Sequence, residues 1–354
     1  MTTNVARMPS RPARPTIEIG GEQDTRLEAG LLEYAISDGI DTITNAELRF
    51  GNWGGEDSQG FQYFDRSKLD FGKEIAIKMG GEILFKGKIS AISSHYPEGA
   101  PPQIAVLAED RLQDLRMVRR TRSFERQSLA EIARTIASDH GLQPMLDTSG
   151  PTYASLAQVN QSDLAFLYDL ARLEGAQIWF ADDKLLVKKS HDVSDVSLAW
   201  AGTLRSFDVV ADLANQRTSV TASGWSVADK QGVKNKADKA ALGSELGDDQ
   251  AGAEILQSAF GERSDQLVHG LPATEQEAKS LAEASFRSMA RNFIVGDGVS
   301  ETDVKMRPGA KLELTGLGPL FDGKYRIRSV CHLFDAAEGA RTEFTCDRPG
   351  LGRP

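Results

Sequence analysis

The sequence predicts a mainly β chain with α+β character: two small β-barrel domains, a middle α+β module and a helical or flexible insertion. Three observations carry that expectation. Apolar residues alternate with period two from Thr16 to about Ala108, two capped amphipathic segments follow between Thr121 and Lys189, and the alternation returns at Leu204 only to be interrupted by a stretch poor in large side chains. At 354 residues the chain is long for one domain and sufficient for two or three.

In the first region, Ile17 and Ile19, then Leu32, Tyr34 and Ile36, then Ile75, Ile77 and Met79, then Ile83 and Phe85, and finally Ile104 and Val106 form short runs separated by glycines. Period two with turn punctuation marks antiparallel strands. Met79-Gly80-Gly81-Glu82 reads as a tight hairpin, because glycine accepts the positive φ of primed turns. Several strands on so short a segment predict a small barrel at residues 16–118. It follows a flexible arm at 1–15, which holds arginines and prolines but no apolar segment of a secretory signal.

The pattern changes to helical in the module at 119–197. Ser128-Leu129-Ala130-Glu131 is a capping box, Leu129, Ile132, Ala133 and Ile136 share one face, and Gly141 is the stop. A second helix has Ser162 as its cap, Leu164, Leu167, Tyr168 and Ala171 at i, i+3, i+4 and i+7, and Gly175 as its left-handed end. Two short strands then flank the turn at Asp182-Asp183.

The second barrel is expected at 198–348, split by an insertion at 226–292, with a tail at 349–354. Ala228 to Glu254 is rich in lysine, aspartate, alanine and glycine, so it reads as a mobile or weakly helical segment unable to bury enough surface to fold alone. Thr274 with Glu277 caps a helix carrying Ala278, Leu281, Ala282, Phe286 and Met289 on one side. Strands return at 311–314, 325–334 and 341–346. No sequence repeat with a period of a few tens of residues is present, although the two β regions remain candidates for structural duplicates.

Composition narrows the function. Hydrophobic residues at 40% and charged residues at 26% suit a soluble globular chain, and no apolar run approaches the length that spans a bilayer. A net charge of −10 argues against a nucleic-acid footprint. The local cluster of Arg116, Arg119, Arg120, Arg122 and Arg126 is better explained by a solvated edge or a subunit contact than by a grip on phosphates. Cys331 and Cys346 fit a reducing cytoplasm as two thiols on neighbouring strands. His95, His140, His191, His269 and His332 show no metal-ligand spacing, and no nucleophile elbow is present. The glycines of Gly51-Asn52-Trp53-Gly54-Gly55 and Gly316-Leu317-Gly318 lack the lysine and helix of a phosphate loop. The sequence therefore assigns no catalytic, cofactor-binding or metal-binding residue. Trp53, Phe61, Tyr63 and Phe64 form an aromatic group read as a subunit interface ahead of a sugar platform.

Asn160, Ser162 and Asp163, followed by Phe166, Leu167, Leu170, Ala171, Glu174 and Gly175, resemble the signature of the phage late control gene D proteins and of the related VgrG family, hubs of contractile tails and tail-like injection machines. Near the end, Pro308-Gly309, Gly316-Leu317-Gly318, Phe321-Asp322-Gly323-Lys324-Tyr325, and His332 through Thr342-Glu343-Phe344 resemble the closing barrel of that family. Lys73 to Gly87, with its L-F-K-G, is a third match. The resemblance implies a structural baseplate hub, a homotrimer whose paired barrels form a pseudo-six-fold ring joining the hexameric tail tube to a trimeric spike. Implied partners are the tube protein, the spike and other baseplate proteins, with no membrane and no specific nucleic acid. Synthesis is expected in the cytoplasm and assembly into the tail baseplate of a phage or injection particle. The chain departs from VgrG after Arg348, where only Pro349 to Pro354 remain, so the expectation is a stand-alone hub with its spike on a separate chain. The alternatives are a tail-associated cell-wall hydrolase, or a carbohydrate-binding or adhesin module of a tail tip.

Overall fold

A computed structural model describes residues 14–54, 60–63, 66–181, 183–189 and 195–353. The first region contributes β1 (Thr16–Ile19), β2 (Glu22–Gln23), α1 (Thr25–Gly30), β3 (Leu31–Gly39), β4 (Asn45–Gly51), β5 (Trp53–Gly54), β6 (Gly60–Phe61), β7 (Glu74–Met79), β8 (Glu82–His95), β9 (Gln103–Glu109) and α2 (Leu112–Arg116). The alternating residues point inward: Ile17, Ile36, Leu48, Phe50, Ile75, Ile77 and Val106 are all buried in one core. Each such side chain contributes about 1.5–3 kcal/mol by leaving water. Its strands run in the order β3-β4-β9-β8-β7-β1-β2.

The middle region comprises β10 (Arg119–Ser128), α3 (Leu129–Asp139), β11 (Gln143–Asp147), β12 (Thr152–Ser162), α4 (Asp163–Glu174), β13 (Gln177–Ala181) and β14 (Lys184–Lys188). The Ser128 Oγ accepts from the Glu131 backbone while the Glu131 carboxylate accepts from the Ser128 N–H at 2.8 Å, so α3 starts where its capping box lies. Gly175 ends α4 at φ 68°. Both helices bury one face against β11-β14-β13 in a second core. Asp182, half of the expected turn, lies outside the described residues.

The last region holds β15 (Val196–Ala199), β16 (Leu204–Ala211), β17 (Ser219–Ser226), β18 (Gln231–Ala237), a 3-10 helix at Lys239–Glu245, β19 (Gln250–Ala251), α5 (Gly252–Phe260), β20 (Ser264–Leu267), α6 (Glu275–Arg291), β21 (Ile294–Ser300), β22 (Lys311–Thr315), β23 (Gly323–Asp335), β24 (Gly339–Arg348) and β25 (Gly350–Leu351). The segment expected to be mobile or weakly helical holds the 3-10 helix and the start of α5, but also a strand, and it packs into this region. Its β18 pairs with β17, and Val233, Ala237 and Leu242 are buried. Composition misled because the segment borrows its apolar partner: Ala278, Ala282 and Phe286 of α6 share a core with Val220, Ala222, Ala237 and Leu242.

The two expected barrels do not form. Thirteen strands of both β regions join one open sheet, none of it closed on itself or strongly curled. The physical reason lies in β23. Its first residues pair with β22, Lys311 opposite Arg326 and Leu314 opposite Gly323. Past a bulge between Ile327 and Ser329, it pairs with β3 of the first region, from Ser329 opposite Gly39 to Asp335 opposite Glu33. The strand that would close the second region therefore hydrogen-bonds to the first. Phe334 accordingly sits in the first core, its ring stacked on Tyr34 at 5.6 Å.

The two β regions repeat one another. The order β3-β4-β9-β8-β7 of the first matches β16-β21-β24-β23-β22 of the second, with the same sequence order of strands. Bulges coincide: Leu31/Glu33 with Leu204/Ser206, and Ile89/Ala91 with Ile327/Ser329. Following the registers across both units makes Phe50 equivalent to Ser300, Glu109 to Asp347 and Lys88 to Arg326 without contradiction. Gly72 N–H donates to the Ile89 carbonyl at 2.8 Å as Gly309 does to Ile327 at 2.7 Å.

The packing of the two units nevertheless differs. Where β4 has Leu48, β21 has Gly298, whose missing Cβ would stand 2.5 Å from the Phe344 ring. Gly298→Ala should lower stability by about 1–3 kcal/mol through overpacking, read as a reduced urea midpoint at unchanged slope.

Candidate assembly surfaces

Among the open strand edges of the described residues, two correspond to the two sides of the β3–β23 ladder. β16 pairs with β21 on one side, and among the described residues no strand covers its other edge. On β8, β7 and the bonds from Gly72 and to Lys73 cover one flank only as far as Ile89. Residues 91–95 then pair with β9 alone among the described strands. The equivalent stretch of β23 is the one that β3 covers. Burial follows: His332 and Phe334 of β23 are buried, whereas Ser94 is exposed and Tyr96 is 63% exposed. On β16, Val210 is 58% exposed.

The aromatic group expected at this end of the sheet divides. Trp53 and Phe61, on the paired β5 and β6, are exposed and meet edge to face at 5.3 Å; Phe61 meets Tyr96 in the same way at 6.5 Å. Interplanar angles of 88° and 87° leave no shared flat stacking surface. Tyr63 instead turns into the first core, where its hydroxyl donates to the Arg26 carbonyl at 3.1 Å. Phe64 lies outside the described residues, as does Gly55 of the neighbouring glycine loop. The sequence marks a strand from Leu204 but not that its edge is open, and it does not mark Tyr96; the correspondence of registers between the two units singles out both.

A trough of about 570 Å³ crosses the joint between the two β regions, lined by Ser37, Asp208, Asp297 and Glu343 and by Val330 and Phe344 among others. Asp208 stands directly opposite Asp297, which accepts from the Thr345 hydroxyl at 2.7 Å. Cys331 also faces it, with its Sγ 3.7 Å from the Ser37 Oγ, while Cys346 is buried; both are free thiols. Among the described residues, no group of three or more His, Cys, Asp or Glu could hold a metal ion, and no helix is long and apolar enough to cross a membrane. His191 is outside those residues.

The signature residues hold the scaffold. Asn160 adopts φ 47° and its N–H donates to the Thr121 hydroxyl, setting the chain to enter α4. Ser162 caps the helix through the Ala165 N–H. Asp163 is fully buried and receives the Arg122 guanidinium, His140 Nε2 and the Gln158 amide, each at 2.8 Å, with Arg120 at 3.2 Å. Burial alone would raise its pKa; the Gln158 and His140 hydrogen bonds and both arginines outweigh that and hold the carboxyl below the usual carboxylate range. Two members of the arginine cluster are thereby used inside the chain. Phe166, Leu167 and Leu170 fill the second core. Near the C-terminal end, the Arg348 guanidinium lies over the Tyr325 ring at 4.6 Å and crowds Gly323, and its donors reach the Leu320 and Asp322 carbonyls. Phe344 packs with Leu312, Tyr325 and Ile327 in the core of the second β region, and Thr342 contacts the buried His332 Nδ1 at 2.8 Å.

A family model described as the Alg8 N-terminal domain matches residues 11–335. The chain belongs to that family. No curated protein matches the sequence. Among solved structures, this Alg8 N-terminal domain family member is similar to the 43 kDa tail protein of prophage MuSo2 from Shewanella oneidensis, with a TM-score of 0.71 and 14% identity over 95% of this chain and 98% of that one. A tail protein from Neisseria meningitidis MC58 gives 0.69 and 14% over 97% and 98%. The E. coli c3393 protein, described as a component of the type VI secretion system with structural similarity to T4 bacteriophage tail proteins gp27 and gp5, gives 0.59 and 13% over 96% and 79%. At these identities the likeness is one of fold.

Two substitutions test the scaffold of this family member. Asp163→Ala removes the buried carboxylate shared by Arg120 and Arg122, leaving them only the partly exposed Asp139 as an anionic partner, and should cost about 3 kcal/mol at neutral pH by chemical denaturation. Because the Asp163 pKa is depressed, its contribution is present at neutral pH and is lost as pH falls through the folded-state value, so the gap should narrow in acid. Burial pushes His332 down to about 3 from 6.5. Between those values the unfolded chain binds a proton that the folded chain refuses, and stability falls with decreasing pH by about 1.4 kcal/mol per unit. His332→Asn should remove that slope, so the stability curves of wild type and variant converge or cross on acidification.

Proposed function

We propose that the chain is a structural hub subunit of a contractile phage tail or tail-like injection particle. It assembles as a homotrimer whose duplicated β units, from residues 16–118 and 198–348, form a pseudo-six-fold ring between a hexameric tube and a trimeric spike. The observation that carries this reading is the duplication itself. Each chain holds two copies of one five-strand unit, joined by the β3–β23 ladder, and keeps an open strand equivalent to each side of that ladder. A contact of this head-to-tail kind passes from copy to copy and ends in a ring when the rotation closes. Three chains supply six such units, matching a six-fold tube on one side and a three-fold spike on the other.

The fold likeness to the prophage MuSo2 and N. meningitidis tail proteins supports a tail role. Likeness to the E. coli secretion-system component supports extending it to injection machines. Partners in this reading are the tube protein, the spike and other baseplate proteins, met during assembly in the cytoplasm. The role asks for buried contact surface and no bond chemistry.

Light scattering of the purified chain, alone and mixed with its tube and spike proteins, tests the reading. The expected result is a particle near three times 38.5 kDa, or its multiple with bound partner. A monomer that ignores both partners overturns it.

A further inference from the structure

The geometry points to a defined strand-to-strand contact between copies of this chain: the open edge of β16 in one subunit pairs antiparallel with residues 91–95 of β8 in the next, in the register of the β3–β23 ladder. The inference rests on the ring reading above and adds the surfaces and register that build it.

The argument is one of equivalence. β3 corresponds to β16 and β23 to β8, strand by strand and bulge by bulge. Within the chain, β3 lies on the flank of β23 that opens past Ile327, with Cys331 opposite Ser37 and Phe334 opposite Tyr34. Carried over to the equivalent positions, Ser93 of one copy faces Val210 of the next, and Tyr96 faces Phe207. Within the two equivalent β units, β16 offers an uncovered edge and residues 91–95 of β8 an uncovered flank among the described residues, so the contact uses each once and is heterologous. An uncovered edge of eight residues otherwise presents unpaired backbone groups to any passing strand.

Side chains agree with the register. Tyr96 and Phe207 repeat the aromatic pairing of Phe334 and Tyr34, and Tyr96 is supported from behind by Phe61. The exposed Val210 gains a neighbour, as Ser37 has one in Cys331 at 3.7 Å.

That last distance supplies the test. In a Cys331→Ser background, Ser93→Cys combined with Val210→Cys should oxidise to disulfide-linked dimers and trimers on a non-reducing gel, whereas either single variant should not. Ala91→Cys with Asp208→Cys, displaced by four residues from this register, should stay uncrosslinked. Ser37→Cys in the chain with native Cys331 is the control, closing the equivalent bond within one subunit. Tyr96→Ala should raise the concentration for half-dissociation about tenfold. A trimer by native mass that yields no Ser93→Cys/Val210→Cys bond overturns this contact and leaves the ring reading standing. A disulfide formed within single chains overturns it too, and absence of self-association at every concentration overturns both.

Discussion

A change of partner along β23 organises the molecule. From Arg326 to its end this strand keeps β24 of its own unit on one flank; on the other it lies beside β22 in its first residues and beside β3 of the other unit after the bulge at Ile327. Backbone hydrogen bonds have no cheap substitute once buried, so whichever strand takes that flank fixes how the two units lie together. Side chains then reinforce the choice. Phe334 enters the first core, and Arg307 reaches from the second region to the Leu84 carbonyl and, at 3.6 Å, to Asp38.

The middle region is tied to both sides. Arg172 of α4 pairs with Asp41 in the loop after β3 at 3.2 Å, Gly175 lies close under Ala284 of α6, and Gln276 of α6 donates to the Gly150 carbonyl. Asp163 anchors the start of α4: a buried anion with its donors in place is a costly thing to disturb. The same arrangement shows why an arginine run is a poor guide to a partner. Arg120 and Arg122 alternate along β10 and share one face, where Asp139 and Asp163 already meet them.

Local structure was legible wherever a few neighbouring residues decide it. The Ser128, Ser162 and Thr274 caps mark the starts of α3, α4 and α6, and period-two apolar runs mark most of the long strands. Barrel closure was not legible, because it turns on which distant strand takes the open flank of β23, and Ser329 to Asp335 read the same beside β22 or beside β3. The order within residues 231–245 escaped for a related reason: its alanines and one valine bury little alone and suffice only beneath α6. For the candidate surface, aromatic composition drew notice to Trp53 and Phe61, but could not separate them from the core residue Tyr63. The open strands carry no compositional mark, and the duplication leaves only isolated identities such as Leu31 with Leu204 and Ile89 with Ile327, while Leu48 answers to Gly298 and Val106 to Phe344.

That divergence bears on how the two units are told apart during folding. Two units with one strand order and coincident bulges are each a template for the other's strands, and chains with repeated folds are prone to such exchange. Gly296 and Gly298 leave room for the rings of Phe207 and Phe344, a space that the equivalent Ala46 and Leu48 of β4 would overfill. A strand that strayed into the wrong unit would find its backbone bonds satisfied and its side chains colliding. Divergent packing on a shared backbone thus makes an exchanged strand a poorer fit than the native one in either unit.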